Sequence, residues 1–205
     1  MKYIELKNDL GAFTVFGLSD IRIIDGSFDR RRISEWCKKG YIRKLSRGKY
    51  IFSDLKLDEN VLFEIANRLY ATSYVSFEAA LSYYGLIPET VYGITSASTR
   101  RTYRIDNDIA EFSYRNIRKD LFWGYNIVKN DDKCFKIASL EKAVLDHLYL
   151  NKHIAGEDDF RSLRIDRVVF FEKVDLNKFD EYRKRFKKKA FSRRVKMFLE
   201  VMKNA

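Results

Sequence analysis

The sequence predicts an α+β protein in which a small, basic N-terminal unit precedes a larger unit of helices and strands. Helix-like apolar spacing between glycine stops fills roughly the first forty residues, and a short basic hairpin follows. Segments that alternate β-branched or aromatic residues with polar ones occupy the middle, and helical spacing returns near the C-terminus. We therefore expect a winged helix-turn-helix over residues 1–54. Over residues 55–205 we expect a mixed α/β domain with a small antiparallel or mixed sheet and C-terminal helices.

The first two helices are predicted from short apolar patterns that stop at glycines. The segment KYIELKNDL predicts a helix that ends at Gly11. The segment SDIRIID predicts a second helix, with Ser19 as its N-cap and Gly26 after its end.

A third helix and a hairpin complete the N-terminal unit. Ser27 or Asp29 can cap a helix that runs to about Lys39, where Gly40 ends it. One face of this helix is apolar and consists of Ile33, Trp36 and Cys37. The segment YIRKLSRGKYIF then predicts two short strands around a turn at residues 46–48, in which glycine provides a positive φ.

The remaining elements follow from the same two periodicities. Helices are predicted at ENVLFEIANRLY, at SFEAALSYYG with Ser76 as its cap, and at SLEKAVLDHLYL. Strands are predicted at TVYGITSA, RTYRI, IAEFSYR, GYNIVK and CFKIAS. Two further helices are predicted at DLNKFDEYRKRFKKK and AFSRRVKMFLEVMK. The apolar face of the last one consists of Phe191, Val195, Phe198 and Met202.

Composition limits the class of protein. The chain has 205 residues, 46% hydrophobic and 15% aromatic, so it can bury a core and is not wholly disordered. Its apolar runs are too short to span a membrane, and the segment MKYIELKNDL lacks the apolar region of a signal peptide. We expect a cytoplasmic protein with no membrane partner. Its two cysteines, Cys37 and Cys134, should be reduced.

The positive charge is concentrated at both ends of the chain. The formal net charge is +11, with +5 in residues 1–54 and +7 in residues 171–205, which leaves −1 for the middle. Two basic ends around a neutral body favour contact with a polyanion, most simply nucleic acid, over uniform solubilisation.

The third helix and the hairpin are the candidate DNA-contacting elements. With the apolar face buried, Arg31 and Ser34 point outward, where they can hydrogen-bond base edges in a major groove. Lys38 and Lys39 near the helix end are suited to phosphates. The arginines and lysines of the hairpin can follow the backbone or enter a minor groove. The alternative is a small helical domain with a solvated basic face, and Glu35 argues mildly against DNA because it would repel phosphates. The predicted DNA-binding residues are Arg30, Arg31, Arg32, Ser34, Lys38, Lys39, Arg43, Lys44, Arg47 and Lys49.

The C-terminal run RKRFKKKAFSRRVK is a second basic feature. An amphipathic helix pair with a solvated charged face explains the pattern, and a second polyanion surface for DNA or a tRNA-like substrate is the functional alternative. A membrane-surface helix also fits the composition, but we expect no anchor, which makes it the weakest alternative. The residues of this second basic surface are Arg183, Lys184, Lys187, Lys188, Arg193 and Arg194.

No pattern predicts catalysis, a metal or a cofactor. A catalytic role for Glu78, Glu141 or Asp146 is disfavoured because the spacing ties no second acid or base to any of them. His147 is expected to be a partly buried structural residue and His153 to lie in a loop. Two histidines and two distant cysteines make a zinc site improbable, and no P-loop or nucleophile elbow is present.

Three segments carry a resemblance to a known family. RKLSRGKYIF, YVSFEAALSYYGLIPETVYGITSASTRRTYRI and FKIASLEKAVLDHLYL, in this order between about Ile42 and Leu150, resemble the AbiEi antitoxins of type IV toxin–antitoxin (abortive infection) systems, also described as predicted regulators of viral defence. The resemblance implies an N-terminal winged helix that represses the operon at its promoter. It also implies a C-terminal domain that counters a nucleotidyltransferase-like toxin without a stable complex. It assigns DNA reading to the third helix and the wing, and no catalytic residue.

Two other functions remain open. One is a nucleic-acid-processing enzyme, a nuclease or transferase whose basic ends clamp the substrate. The other is a ligand-responsive transcription factor unrelated to a toxin. A metal-dependent activity lost with two clustered acids would favour the enzyme, and a nucleotidyltransferase-like reading frame just downstream would favour the antitoxin.

Overall fold

The computed structural model describes residues 1–88, 93–130 and 133–204, and over them the chain is an α+β protein. The helices are α1 (Tyr3–Leu10), α2 (Leu18–Ile24), α3 (Arg31–Lys38), α4 (Glu59–Leu69), α5 (Phe77–Tyr83), α6 (Leu140–Leu150), α7 (Glu157–Ser162), α8 (Arg167–Lys173), α9 (Leu176–Arg185) and α10 (Lys189–Asn204). The strands are β1 (Ile42–Ser46), β2 (Lys49–Phe52), β3 (Ser73–Val75), β4 (Gly93–Ser98), β5 (Tyr103–Asp106), β6 (Glu111–Asn116), β7 (Tyr125–Asn130) and β8 (Lys133–Ala138), and a 3-10 turn covers Lys119–Leu121.

The strands form two sheets. Strands β1 and β2 pair as an antiparallel hairpin with a register shift between Lys44 and Ser46. The other six form one mixed sheet in the order β5-β6-β4-β3-β8-β7. In it β4 and β6 are parallel, as are β3 and β8, and the other neighbours are antiparallel. The predicted class, with helices, a mixed sheet and a separate small antiparallel sheet, is confirmed.

The first three helices and one face of the hairpin enclose a small core. Its buried side chains are Leu6, Leu10, Phe16, Ile21, Phe28, Ile33, Trp36, Ile42 and Phe52. Between α1 and α2, Phe16 forms an isolated antiparallel bridge to Tyr50 of β2, with N···O distances of 3.0 and 2.9 Å. The order is therefore helix, bridging residue, helix, helix and hairpin, and the bridge holds the hairpin beside the helices.

The large core lies between the mixed sheet and the helices of the larger unit. Helix α4 contacts β3 and β8, α5 contacts β4 and α6, and α6 contacts α9 and α10. The predicted apolar face of α10 is confirmed, since Phe191, Val195, Phe198 and Met202 are all buried in this core.

The hairpin belongs to both cores because successive side chains of a strand point to opposite faces. Ile42 and Phe52 lie in the small core, whereas Leu45 and Ile51 lie in the large one. Polar contacts add to this junction. The buried Thr14 hydroxyl donates to a Glu64 carboxylate oxygen at 2.6 Å.

Most predicted elements are present, but two helices are not capped by the residues predicted. Ser19 lies inside α2, and Gly17 is the N-cap, with its N–H bonded to the Asp20 carboxylate at 2.7 Å. Ser76 does precede α5, but its hydroxyl makes no cap bond and donates to Asp146 instead. Strand β3 and helices α7 and α8 were not predicted. Residues 90–92 of the segment TVYGITSA lie outside the described residues.

The predicted helix stop and the predicted turn glycine of the basic stretch are both confirmed. Gly40 follows α3 with a φ of +71°, and Gly48 closes the hairpin turn with a φ of +75°. Among the described helices, none combines the length and the apolar character that crossing a membrane requires.

Candidate nucleic-acid interface

Helix α3 is buried on one side and exposed on the other, as its spacing predicts. Ile33 and Trp36 are buried, and the Trp36 ring lies against Phe28 with centroids 5.5 Å apart. On the opposite side Arg31, Ser34, Glu35 and Lys38 are exposed. The aromatic contacts fix the rotation of α3, and this rotation presents its basic side to solvent.

A concave surface of about 300 Å³ lies between α3 and the hairpin, and we call it the N-terminal groove. Arg30, just before α3, and Lys44 of the hairpin meet there, together with hydroxyl groups that can donate to phosphates or bases. Burial raises the pKa of the Cys37 thiol, which Lys44 opposes only in part, so the thiol stays protonated at neutral pH. The groove is lined by Arg30, Ile33, Ser34, Cys37, Lys44 and Tyr50.

Most predicted DNA-binding side chains are available for a ligand. Within the described parts of the chain, Arg30, Lys38, Lys39, Lys44, Arg47 and Lys49 form no salt bridge. Arg31 pairs with Asp29 at 3.1 Å, but its side chain is 88% exposed. Such an exposed pair exchanges readily for a phosphate or a base because it stabilises the fold by only about 0–1 kcal/mol.

Two predicted residues have structural partners instead. Arg32 donates to the backbone carbonyl of Met1 and thus holds the N-terminus beside α3. Arg43 lies on the hairpin face that meets the large unit, where it bonds the Asp108 carboxylate at 2.9 Å and the Asp108 carbonyl at 3.2 Å. These two arginines position the basic stretch and are poor candidates for ligand contact.

Close packing fixes the position of the hairpin turn beside the start of α2. A Cβ at Gly17 would lie 2.7 Å from the Gly48 carbonyl oxygen, which is closer than real Cβ contacts allow. Asn107 also donates from its side-chain amide to the Leu45 carbonyl at 3.0 Å. The turn with Arg47 is therefore held from two sides.

The predicted second basic surface lies at the junction of α9 and α10. Its side chains surround an open concavity of about 460 Å³, which we call the basic groove. The groove is lined by Arg183, Lys184, Lys187, Lys188, Lys189, Ser192, Arg193 and Lys196. Helical geometry explains the cluster, because residues 189, 192, 193 and 196 share one face of α10.

Arg183 and Arg194 are placed differently from the other predicted members of this surface. Arg183 is mostly buried and bonds the Asp180 carboxylate at 2.6 Å. Arg194 turns away from the basic groove and donates to the carbonyls of Leu148 and Lys152 at the end of α6. It thereby satisfies backbone acceptors that a helix end leaves without intrahelical partners, and burial lowers its pKa.

Two polar clusters that the sequence did not reveal lie in and around α6. In the first, the fully buried Lys142 ammonium bonds the Asp146 carboxylate and, at 2.9 Å, the Tyr74 hydroxyl. Asp146 also accepts from Tyr74 at 2.8 Å and from Ser76 at 3.1 Å. Burial lowers the pKa of Lys142, and Asp146 only partly opposes this shift.

The second cluster surrounds Glu78. Its carboxylate lies 3.4 Å from Nδ1 of His147 and 3.6 Å from Arg115, whose guanidinium also bonds Asn151 at 2.8 Å. Phe77, just before Glu78, has a φ of +58°, which non-glycine residues rarely adopt. His147 is buried, as expected, and His153 lies in a turn. The partners of Glu78 come from β6 and α6, so spacing along the chain could not indicate them.

Among the described residues, no group of three or more His, Cys, Asp or Glu side chains is arranged to hold a metal ion. Comparison with known proteins adds no assignment, since no protein-family model and no curated protein matches this chain.

Proposed function

We propose that the chain is a DNA-binding antitoxin that also represses its own operon, acting in the cytoplasm without a cofactor and without enzymatic activity. Residues 1–54 act as a winged helix that reads promoter DNA, and residues 55–205 counter a nucleotidyltransferase-like toxin without forming a stable complex. The antitoxin role rests on the resemblance of residues 42–150 to the AbiEi family.

The observation that carries the DNA-binding part is the shared concavity of α3 and the hairpin. The exposed side chains of Arg30, just before α3, and Lys44 of the hairpin border the N-terminal groove. Ile33 and Trp36 hold α3 against the small core. The order of three helices, a bridging residue and a hairpin supports a winged helix. In this arrangement α3 enters the major groove and the hairpin follows the backbone or the minor groove.

Base reading and phosphate binding fall to different residues. Arg31 and Ser34 lie on the exposed side of α3, where an arginine can bond guanine O6 and N7 together. Lys38 and Lys39 at the end of α3, and Arg47 and Lys49 at the turn, bind phosphates.

The affinity of the full-length chain for duplex DNA from upstream of its own gene tests the DNA-binding part. We expect the logarithm of the binding constant to fall with the logarithm of salt concentration, by about 0.9 for each phosphate contacted. A duplex of shuffled sequence should bind more weakly at every salt concentration. Binding that ignores salt, or equal affinity for both duplexes, would contradict operator recognition.

Growth tests the antitoxin part separately. Expression of the reading frame just downstream should arrest growth, and co-expression of this chain should restore it. If the two proteins express and growth is not restored, the antitoxin proposal fails, whereas the DNA-binding result is unaffected.

A further inference from the structure

The basic groove carries more positive charge than its neighbours neutralise. Within the described residues, Lys187, Lys189, Arg193 and Lys196 form no salt bridge. Lys187 and Lys189 lie at the N-terminal end of α10, whose first turn contains no acidic residue, and Arg193 and Lys196 follow in its next turns. A helix N-terminus favours anions and disfavours lysines, so an unneutralised cluster there indicates a site for an anionic ligand.

A second concavity lies next to the basic groove on the side of α6, and we call it the aromatic pocket. Its volume is about 180 Å³, and its lining combines the Tyr149 and Phe191 rings with cationic side chains. A protein cavity of about 150 Å³ accommodates benzene, so one planar ring fits a space of this size. The pocket is lined by Tyr149, Lys152, Lys188, Ala190, Phe191 and Arg194.

Lys188 connects the two concavities. It lines both of them, and its ammonium donates to the Tyr149 hydroxyl at 3.0 Å and lies 4.9 Å from the centre of that ring. The two spaces are therefore separated by no more than one residue. A ligand that fills both must combine several negative charges with a flat, hydrophobic ring close to them.

We propose that the basic groove and the aromatic pocket together form a binding site for single-stranded nucleic acid. The phosphates lie along Lys187, Lys189, Arg193 and Lys196, and one unstacked base enters the pocket against Tyr149 and Phe191. Basic grooves beside aromatic rings bind single strands in this way. A duplex keeps its bases paired and stacked, so it can offer only phosphates. This inference does not depend on the operator-binding proposal.

Fluorescence anisotropy tests the site in the full-length variant Arg31→Ala/Lys38→Ala/Arg47→Ala, which lacks side chains proposed to bind duplex DNA. The probes are labelled thymidine and uridine oligonucleotides, the same thymidine strand annealed to its complement, and an abasic strand of equal length. Both single strands should bind more tightly than the duplex and the abasic strand, with a loss of roughly fivefold to a hundredfold when the base is missing.

Exposed side chains allow each half of the site to be removed separately. The variant Lys187→Ala/Arg193→Ala/Lys196→Ala should lose about tenfold or more in single-strand affinity, and its salt slope should become shallower by about 0.7 for each phosphate contact removed. The variant Ala190→Leu fills the aromatic pocket without changing charge or core. It should weaken binding of the intact strand and leave binding of the abasic strand unchanged.

Two controls isolate the site. Lys56→Ala/Lys129→Ala/Lys203→Ala removes equal charge from exposed positions elsewhere, and Arg31→Ala/Lys38→Ala/Arg47→Ala removes exposed charge from α3 and the hairpin turn. Both should keep wild-type affinity for the single strand. The proposal is overturned if the duplex binds as tightly as the single strand when Arg31, Lys38 and Arg47 are replaced by alanine. It is also overturned if Ala190→Leu affects intact and abasic strands equally, or if polyglutamate competes as well as the oligonucleotide.

Discussion

Neighbouring arginines of α3 have different roles, and the difference lies in their partners. Arg31 is 88% exposed and held only by Asp29, whereas Arg32 donates to the Met1 carbonyl. Both positions have the same residue type and the same local charge, so the sequence predicted one role for both. The fold separates them because only one of them faces the chain's N-terminus.

Arg31→Ala and Arg47→Ala should weaken DNA binding in different ways. Loss of Arg31 should weaken binding to the operator more than to shuffled duplex, by about 1–3 kcal/mol if it contacts a guanine bidentately. Loss of Arg47, at the hairpin turn, should weaken both equally. Arg104→Ala, which removes an exposed arginine paired with Glu111 outside both grooves, is the control for lost charge. Identical patterns for the first two variants would refute the assignment of α3 to bases and the hairpin to phosphates.

Lys142 and Asp146 should depend on each other for stability. Lys142→Met leaves the Asp146 charge buried without its counter-ion, which should lower the free energy of unfolding by about 3–5 kcal/mol. Adding Asp146→Asn removes that charge and should restore most of the loss, because the amide oxygen still accepts from Tyr74. Denaturant unfolding measures both changes.

The control for this pair is Arg161→Met, which breaks the pair with Glu157. That pair has the same i,i+4 spacing but is exposed, so its loss should cost under about 1 kcal/mol. A similar cost for Lys142→Met would show that Asp146 is not left charged in the core.

The Glu78 cluster should make stability depend on acid pH. Burial alone would raise the pKa of the Glu78 carboxyl, but His147, the backbone and Arg115 together hold that pKa below its usual value of 4.5. A carboxyl with a lowered pKa stabilises the fold above pH 4.5, and this contribution is lost as the pH falls through the folded-state pKa. The difference in unfolding free energy between wild type and Glu78→Gln should thus shrink as the pH falls below 4.5. Glu200→Gln, on the exposed face of α10, is the control for this difference. If the difference in unfolding free energy between wild type and Glu78→Gln persists at low pH, the role of the Glu78 charge is contradicted.

At the scale of elements, the spacing of apolar residues along the chain predicted most of the helices and strands. The alternating segments became β4 to β8, and the helical spacing of Phe191, Val195, Phe198 and Met202 became the buried face of α10. Strand β3 was missed because its three residues are all buried, so they show no alternation. Contacts between distant elements could not be predicted either. The N–H of Ala79 in α5 is capped by the Thr95 hydroxyl of β4 at 3.0 Å, while Ser76, the predicted cap, bonds Asp146.

For the candidate sites too, local spacing was predictable and contacts between distant residues were not. Helical spacing predicted the exposed face of α3 and the cluster of lysines in the basic groove. It could not show that Arg43 and Arg194 turn inward, because their partners, Asp108 and the end of α6, are more than forty residues away along the chain.

Gly17→Ala should damage the junction between α2 and the hairpin turn. The new Cβ would meet the Gly48 carbonyl, so the turn must shift, and overpacking of this kind costs about 1–3 kcal/mol. Affinity for the operator should fall with stability because Arg47 moves with the turn. Gly26→Ala is the matched control, since a Cβ there meets nothing within 4 Å. Equal unfolding free energies for the two variants would show that this contact does not fix the hairpin.

For the whole molecule, the hairpin is the element that joins the two units. Leu45 and Ile51 contribute to the large core while Ile42 and Phe52 contribute to the small one. Removal of residues 1–54 would therefore expose apolar surface of the larger unit, in addition to removing the basic stretch. Substitution of exposed side chains is the better way to separate DNA binding from toxin neutralisation.

The most direct measurement compares repression and rescue in one variant, Arg31→Ala/Lys38→Ala/Arg47→Ala. These three side chains are exposed, so the variant should fold with little loss of stability. Expressed from a foreign promoter, it should still restore growth in the presence of the downstream toxin, but it should fail to repress a reporter behind its own promoter. If the folded variant represses normally, the exposed basic side chains of α3 and the hairpin turn do not form the operator-binding surface. If it loses rescue together with repression, the two activities share one surface and the division between residues 1–54 and 55–205 is wrong.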